Sequence, residues 1–270
     1  MHHNVKILFI GDIIGRPGRK LLFEHLENLQ KEFLPDFTIV NIENSAGGMG
    51  ITKKVLEEIE KNCEIDVYTT GNHVWDKKEF EKYVNHFENV LIPANYPENV
   101  PGNRYFIAEK NGKKLGVFNL LGRALMGLNL ECPFRTAKKI IEKFKNVTKN
   151  ILLDFHAEAT SEKNALAFYL DGDVSAIIGT HTHIQTADER IMNNGTAYIT
   201  DAGMTGIFDS VIGYNEKIAI QKFLTQMPKK HEVKTKGKLV IQGVIVELDS
   251  EGKAVNIERL KNFYWQFYFN

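Results

Sequence analysis

The sequence is poor in cysteine, in excess charge of either sign and in long apolar runs, and each shortage excludes a class of protein. Two cysteines, Cys63 and Cys132, are too few for a disulfide framework or a zinc finger. Lysine plus arginine numbers 34, as does aspartate plus glutamate, so the formal net charge is zero. This balance argues against stable binding to nucleic acid or to an anionic membrane, because both need an extended basic surface.

Membrane and export signals are missing from the sequence as well. No apolar stretch approaches the ~20 residues that cross a bilayer. The first apolar run, 5–10, is followed by an aspartate rather than by a cleavage site. We therefore expect a cytoplasmic protein without membrane contact. With 43% hydrophobic and 25% charged residues, the composition is that of an ordinary globular protein, and we expect one domain over residues 1–270.

What is present is a regular alternation of short apolar runs and amphipathic stretches. In the first third of the chain this spacing predicts strands and helices in turn, at 5–10, 17–33, 37–42, 52–62, 66–70 and 76–87. A β-α-β-α rhythm of this kind predicts a largely parallel sheet that helices cover on both faces.

The remainder of the chain adds hairpin signals to this rhythm. Asn111-Gly112 predicts a tight turn inside a hairpin over 104–122, and Asn194-Gly195 predicts another turn. Further helices are predicted at 135–149, 161–170 and 215–226, and further strands at 151–155, at 175–179 and, as a pair, near the end. The pattern predicts two packed sheets flanked by helices. The aromatic segment 263–269 is expected to pack on the fold or on a partner subunit.

Five predicted strands end in side chains that bind metals or move protons. Ligands of open α/β sheets bind outside the carboxyl ends of the strands, so these side chains are expected to meet at one rim of the protein. They are Asp12, then Glu43 with Asn44, then Asn72 with His73, then His156, and finally His181 with His183.

Two histidines separated by one residue suggest more than one metal ion. If the chain is extended there, His181 and His183 point to the same side with Cα atoms roughly 6–7 Å apart. That separation suits two neighbouring cations, and Glu43 is the natural group to bridge them. Imidazole, carboxylate and amide ligands together suit manganese, iron or zinc rather than calcium.

The same residues carry a family resemblance. Gly11-Asp12, the Gly-Asn-His sequence at 71–73, His156 and the Gly-Thr-His-Thr-His sequence at 179–183 resemble the signatures of calcineurin-like metallophosphoesterases. Longer stretches resemble the YmdB-like branch of that family, at 41–52, 69–79, 93–98, 154–163 and 179–191. The resemblance implies an α/β fold, a four-layer αββα sandwich with two mixed β-sheets flanked by helices. It also implies two metal ions, iron or manganese in the first place, with zinc or magnesium as alternatives.

The resemblance also implies how the ligands divide between the two ions. Metal one would be held by Asp12, Glu43, Asn44 and His183. Metal two would be held by Glu43, Asn72, His156 and His181. The chain departs from the general family in two places, with Ile14 where a histidine is usual and Glu43-Asn44 where an aspartate is usual. Both departures are typical of the YmdB-like branch, in which Asn44 would replace the missing histidine.

The implied activity is hydrolysis of 2′,3′-cyclic nucleotides to 3′-nucleotides by attack of a metal-bridging hydroxide. His73 would protonate the departing 2′ oxygen, so replacing it should spare the metals and remove most turnover. A broad phosphomonoesterase or phosphodiesterase remains an alternative, as does a regulatory, RNA-associated protein with a structural metal site. Residues that bind the substrate are not located, and the role of the segment 201–206 and a possible homo-oligomer are left open.

Overall fold

The computed structural model describes residues 4–265, which form thirteen strands and five α-helices. The helices are α1 (Gly15–Phe33), α2 (Lys53–Asn62), α3 (Pro133–Phe144), α4 (Thr160–Leu170) and α5 (Glu216–Thr225). The first seven strands are β1 (Val5–Ile10), β2 (Asp12–Ile13), β3 (Phe37–Asn41), β4 (Val67–Thr69), β5 (Tyr105–Lys110), β6 (Lys113–Leu121) and β7 (Ile151–His156). The others are β8 (Ala176–Thr180), β9 (Arg190–Ile191), β10 (Ala197–Ile199), β11 (Met204–Ile207), β12 (Leu239–Leu248) and β13 (Ala254–Tyr264).

The strands form two mixed sheets. The first runs in the order β2-β11-β12-β1-β3-β4, with β13 paired to β12 as well. In it β1, β3 and β4 are parallel, whereas β12 is antiparallel to β1, β11 and β13. The second sheet runs in the order β5-β6-β7-β8-β10-β9, with a parallel centre from β6 to β10 and antiparallel strands at both edges.

Alternation along the strands explains why the two sheets stack. In β1, the buried side chains of Ile7 and Phe9 belong to a cluster shared with β6, β7 and β8, which lies between the sheets. Leu8 and Ile10 belong to a second cluster with α1 and α2. A third cluster lies between the outer face of the second sheet and α3 and α4. The layers are therefore helix, sheet, sheet and helix, and the expected four-layer αββα arrangement is confirmed.

The predicted hairpin is confirmed in detail. Strands β5 and β6 pair antiparallel, and the two-residue turn between them has φ of 52° at Asn111 and 75° at Gly112. Positive φ at both central positions is what the type I′ hairpin turn requires, and asparagine followed by glycine adopts it at low cost.

The predicted helix at 76–87 is wrong. This segment contains two 3₁₀ turns, Lys78–Lys82 and Val84–His86, because its backbone hydrogen bonds reach back three residues instead of four. Phe80 and Val84 are fully buried. Their helical spacing therefore reflects burial in the core, which the shorter 3₁₀ turns achieve without an α-helix. The helix predicted at 135–149 also ends early, at Phe144.

Among residues 4–265, no helix combines the length and the apolar character needed to cross a bilayer. The aromatic segment 263–269 falls only partly within the described residues. Phe263 packs edge-on against Phe208, with ring centroids 5.0 Å apart, and Tyr264 stacks on His25 at 3.9 Å. For these two residues the expected packing on the fold is confirmed; residues 266–269 lie outside the described range.

Candidate metal centre

The carboxyl ends of parallel strands from both sheets meet at one rim and deliver the predicted side chains to it. Asp12 follows β1, Glu43 lies two residues beyond β3, and Asn72 lies three residues beyond β4. From the second sheet, His156 ends β7 and His181 follows β8 directly. Residues that are 169 positions apart in the sequence, Asp12 and His181, are thereby brought into contact.

Four of the side chains converge on one point. Three atoms lie 3.0 Å from His156 Nε2: Glu43 Oε1, Asn72 Oδ1 and His181 Nδ1. A ring nitrogen carries at most one hydrogen, so His156 can satisfy only one of these three neighbours by donating to it. A cation would satisfy all of them at once. These four residues are the set that the resemblance implies for metal two.

A second group of predicted ligands also contacts Glu43. Asn44 Nδ2 lies 3.1 Å from both Glu43 Oε1 and His183 Nε2, and Asp12 Oδ1 lies 3.9 Å from His183 Nε2. Two oxygens of this group, Asp12 Oδ1 and Asn44 Oδ1, are buried and lack a hydrogen-bond partner. Burying polar oxygens in this way is costly unless a ligand pairs with them. The donor set therefore fits the first metal ion as well.

The two histidines reach the site by a different backbone route from the one expected. The residues are not extended: φ is 100° at His181 and 64° at His183, both in the left-handed region. Strand β8 stops at Thr180, and the chain turns sharply through the histidines. Their convergence therefore depends on a strained turn and not on strand alternation.

Hydrogen bonds at Nδ1, the ring nitrogen that faces away from the cluster, orient the imidazoles of His183 and His156. His183 Nδ1 donates to the backbone oxygen of Ile212 at 2.9 Å, which leaves Nε2 unprotonated and facing Asp12 and Asn44. His156 Nδ1 contacts Thr180 Oγ1 at 2.9 Å, and that hydroxyl donates to Asp154 at 2.6 Å.

Asp154 is the centre of this support. Its carboxylate also accepts from Asn41 Nδ2 at 2.9 Å and from Thr69 Oγ1 at 2.5 Å, and it is fully buried. The carboxylate thus links β3, β4, β7 and β8 immediately beneath the ligands. Outer groups of this kind hold the tautomer and direction of a metal-binding histidine.

His73 lies beside the cluster and takes no part in its closest contacts. Its backbone N–H donates to Glu43 Oε2 at 3.2 Å, and its Nδ1 lies 2.9 Å from Asp76 Oδ2. The His73 side chain is 27% exposed, whereas that of His156 is fully buried. It is therefore reachable by a bound molecule, and Asp76 leaves its Nε2 as the free nitrogen.

In the absence of metal, the ionisable groups of the site perturb one another strongly. Burial by itself would lower the pKa of His156, but the carboxylates of Glu43, Asp12 and Asp154 raise that pKa to about 9. Burial opposes ionisation of Glu43 as well, yet the charge of His156 holds the Glu43 pKa at about 2. Burial and the neighbouring charge of His156 lower the pKa of His181 to about 3. Such clustering of displaced pKa values is typical of functional sites.

Sequence reasoning missed several residues of the site. Asp76 and Glu158 contact His73 and His181 respectively, the latter at 3.1 Å between Glu158 Oε2 and His181 Nε2. Asp154 stands at a strand end but was assigned no role, and Ile212 acts through its backbone oxygen, which leaves no signal in the sequence. Asp76, three residues after His73, is the one that local spacing could have revealed.

Two mixed sheets layered between helices, with a carboxylate, amide and imidazole cluster at the strand ends, define the calcineurin-like phosphoesterase fold. Within that class, the profile of the YmdB-like protein family matches residues 8–260. The chain belongs to this family.

Relatives and solved structures agree with this placement. The chain is 45% identical over 257 residues to the 2′,3′-cyclic-nucleotide 2′-phosphodiesterase of Bacillus subtilis, covering 95% of this chain and 96% of that protein. It is 37% identical to a putative phosphatase/phosphodiesterase of Mycoplasma genitalium, covering 96% of this chain and 93% of the relative. A crystal structure described as a novel phosphatase from Mycoplasma pneumoniae superposes with a TM-score of 0.90 at 34% identity, covering 97% of this chain and 95% of that one.

Proposed function

We propose that this protein is a metal-dependent phosphodiesterase that hydrolyses 2′,3′-cyclic nucleotides to 3′-nucleotides. The observation that carries the proposal is the convergence of Glu43, Asn72 and His181 on His156 Nε2, with His73 exposed beside them. The activity named for the Bacillus subtilis relative supports the choice of substrate.

Two cations fit the donor set. Asp12, Glu43, Asn44 and His183 would hold the first, and Glu43, Asn72, His156 and His181 would hold the second. We propose iron or manganese, with zinc or magnesium as alternatives, because nitrogen and oxygen donors are mixed. When bound, such cations supply Lewis acidity, which neutralises phosphoryl charge and makes water a nucleophile at neutral pH.

His73 has the position and the partner expected of a general acid. Water adds to phosphorus and loses one proton to solvent, and the bond from phosphorus to the 2′ oxygen breaks. His73 Nε2 gives its proton to that oxygen, which leaves the phosphate on the 3′ oxygen, and His73 then regains a proton from solvent. Asp76 contacts Nδ1 at 2.9 Å and keeps Nε2 directed outward. An alkoxide is a poor leaving group, so proton donation matters most at this step.

The substrate is tested by comparing turnover on several phosphate esters. Protein reloaded with manganese or iron should hydrolyse 2′,3′-cyclic AMP faster than 3′,5′-cyclic AMP, bis-p-nitrophenyl phosphate or p-nitrophenyl phosphate, and should release the 3′-phosphate. Preference for the monoester would favour a phosphomonoesterase. No turnover of any ester with both metals bound would favour a regulatory protein with a structural metal site.

The role of His73 is tested by His73→Ala, with His25→Ala as a matched control at a histidine far from the site. We expect His73→Ala to keep its metal content and to lose about 10²- to 10⁴-fold in kcat, the range for loss of a general acid. Loss of metal in parallel with activity would show that His73 is a ligand instead.

A further inference from the structure

A buried ion pair lies directly behind the two histidine ligands. Lys163 of α4 is 1% exposed, and Asp201, after β10, is fully buried. Lys163 Nζ lies 3.0 Å from Asp201 Oδ2 and donates to the backbone oxygen of Thr180 at 2.8 Å. A lysine is rarely buried to this degree without a specific partner, so the pair calls for an explanation.

Asp201 also accepts hydrogen bonds from the turn that carries the two histidines. Its Oδ2 accepts from the backbone N–H of Thr182 at 3.0 Å and from Thr182 Oγ1 at 2.8 Å. Thr182 separates His181 from His183, and Thr180 precedes His181. The ion pair therefore forms hydrogen bonds to the turn on both sides of His181, at Thr180 and at Thr182.

The turn needs such a restraint because its backbone is strained. Histidine at a positive φ is energetically unfavourable and persists only where the surrounding contacts fix its conformation. Both ligands adopt such values, 100° at His181 and 64° at His183. Strand pairing does not hold them, because β8 ends at Thr180.

Asp201 is also linked, through Gly203, to Asp12, the predicted ligand from the first sheet. Asp201 Oδ1 accepts from the backbone N–H of Gly203 at 2.9 Å, and the backbone oxygen of Gly203 accepts from the N–H of Asp12 at 3.1 Å. Gly203 has a φ of 82°, and a Cβ added at Gly11 would lie 2.1 Å from its oxygen. Close packing thus joins the segment 201–206 to the strand that presents Asp12.

We propose that Lys163 and Asp201 form a positioning pair that holds His181, His183 and Asp12 in their metal-binding arrangement. This assigns a role to the segment 201–206, which the sequence leaves open. The two residues act through their hydrogen bonds to Thr180, Thr182 and Gly203. The inference rests on the proposed metal site.

The pair is tested by Mn²⁺ titration of the metal-free protein, following free Mn²⁺ by electron paramagnetic resonance. Wild type should bind two ions. We expect Lys163→Met and Asp201→Asn to bind them about 10- to 100-fold more weakly, the usual cost of losing an outer support of metal ligands. Lys113→Met is the matched control, since it breaks the Lys113–Asp36 pair at the opposite end of the second sheet and should bind like wild type.

Circular dichroism and the melting temperature of each metal-free variant separate positioning from folding. If Lys163→Met is folded and binds both ions as tightly as wild type, the pair is merely structural and the inference is overturned. Equal losses in Lys163→Met and Lys113→Met would overturn it too. Wild type that binds no Mn²⁺ would instead refute the proposed metal site, a distinguishable result.

A milder variant keeps the test decisive should the charge variants fail to fold. Thr182→Val removes only the hydroxyl that donates to Asp201 and keeps the volume and the backbone N–H. We expect about tenfold weaker Mn²⁺ binding with the fold intact, the lower end of the range for loss of one hydrogen bond to a charged group. Unchanged affinity in folded Thr182→Val would contradict the proposed restraint.

Discussion

Proton competition at His156 should govern how tightly the protein binds metal. The ring is buried among carboxylates, and although burial alone lowers its pKa, Glu43, Asp12 and Asp154 raise it to about 9. At pH 7 the metal-free protein therefore keeps a proton on this imidazole. That proton must leave before Nε2 can bind a cation.

The size of the effect follows from the difference between the pKa of His156 and the pH. A pKa of about 9 implies that at pH 7 proton competition weakens metal binding about 100-fold, with about tenfold recovered for each unit of rising pH. Glu43, with its pKa at about 2, and His181, at about 3, do not titrate in this interval. The pH dependence between 7 and 9 should therefore report on His156, together with Asp12, whose pKa burial raises.

The assay is a chelator-competition titration with Mn²⁺ at several pH values from 6.5 to 8.5, without oxygen. Calorimetry in buffers of different ionisation enthalpy measures the protons released on binding. We expect affinity to rise with pH and at least one proton to leave at pH 7; a second can follow, because burial raises the pKa of Asp12. His25→Gln serves as a control and should preserve the pH dependence.

A flat affinity profile between pH 6.5 and 8.5, together with no proton release, would refute the reasoning. It would mean that in the metal-free site His156 is already neutral and the ligand carboxylates are already ionised. The electrostatic account of the cluster would then need to be reversed, although the ligand set could still stand.

Three further predictions concern the surroundings of the ligands. Asp154→Ala removes the support behind His156 and should weaken metal binding about 10- to 100-fold in the same titration. Gly71→Ala would place a Cβ 2.1 Å from Glu43 Oε2, so metal content by elemental analysis should fall to near zero. Gly127→Ala strains the backbone, at a φ of 70°, but meets no atom within 4 Å, so its metal content should be kept. The pKa of His156 is raised on folding, so its stabilising contribution is complete below pH 6.5 and disappears as the pH rises through about 9; urea unfolding of metal-free protein should show this loss.

Much of the fold was predictable because local patterns and the global arrangement agree. The alternating apolar residues of β1 face two different cores, and Asn111-Gly112 adopts the turn that its residue types favour. The segment 76–87 was mispredicted because Phe80 and Val84 have helical spacing in a chain that takes a tighter path. Periodicity records which residues are buried, but it does not record how many residues each turn uses.

The sequence by itself determined which side chains stand at the strand ends, and parallel strands then required these side chains to share a rim. Only the tertiary structure decided how the ligands are aimed. The left-handed turn at His181 and His183, the Ile212 oxygen behind His183 and the Asp154 carboxylate behind His156 arise from contacts between distant segments. Residue identity specifies chemistry, whereas the direction of a lone pair depends on neighbours that only folding brings into contact.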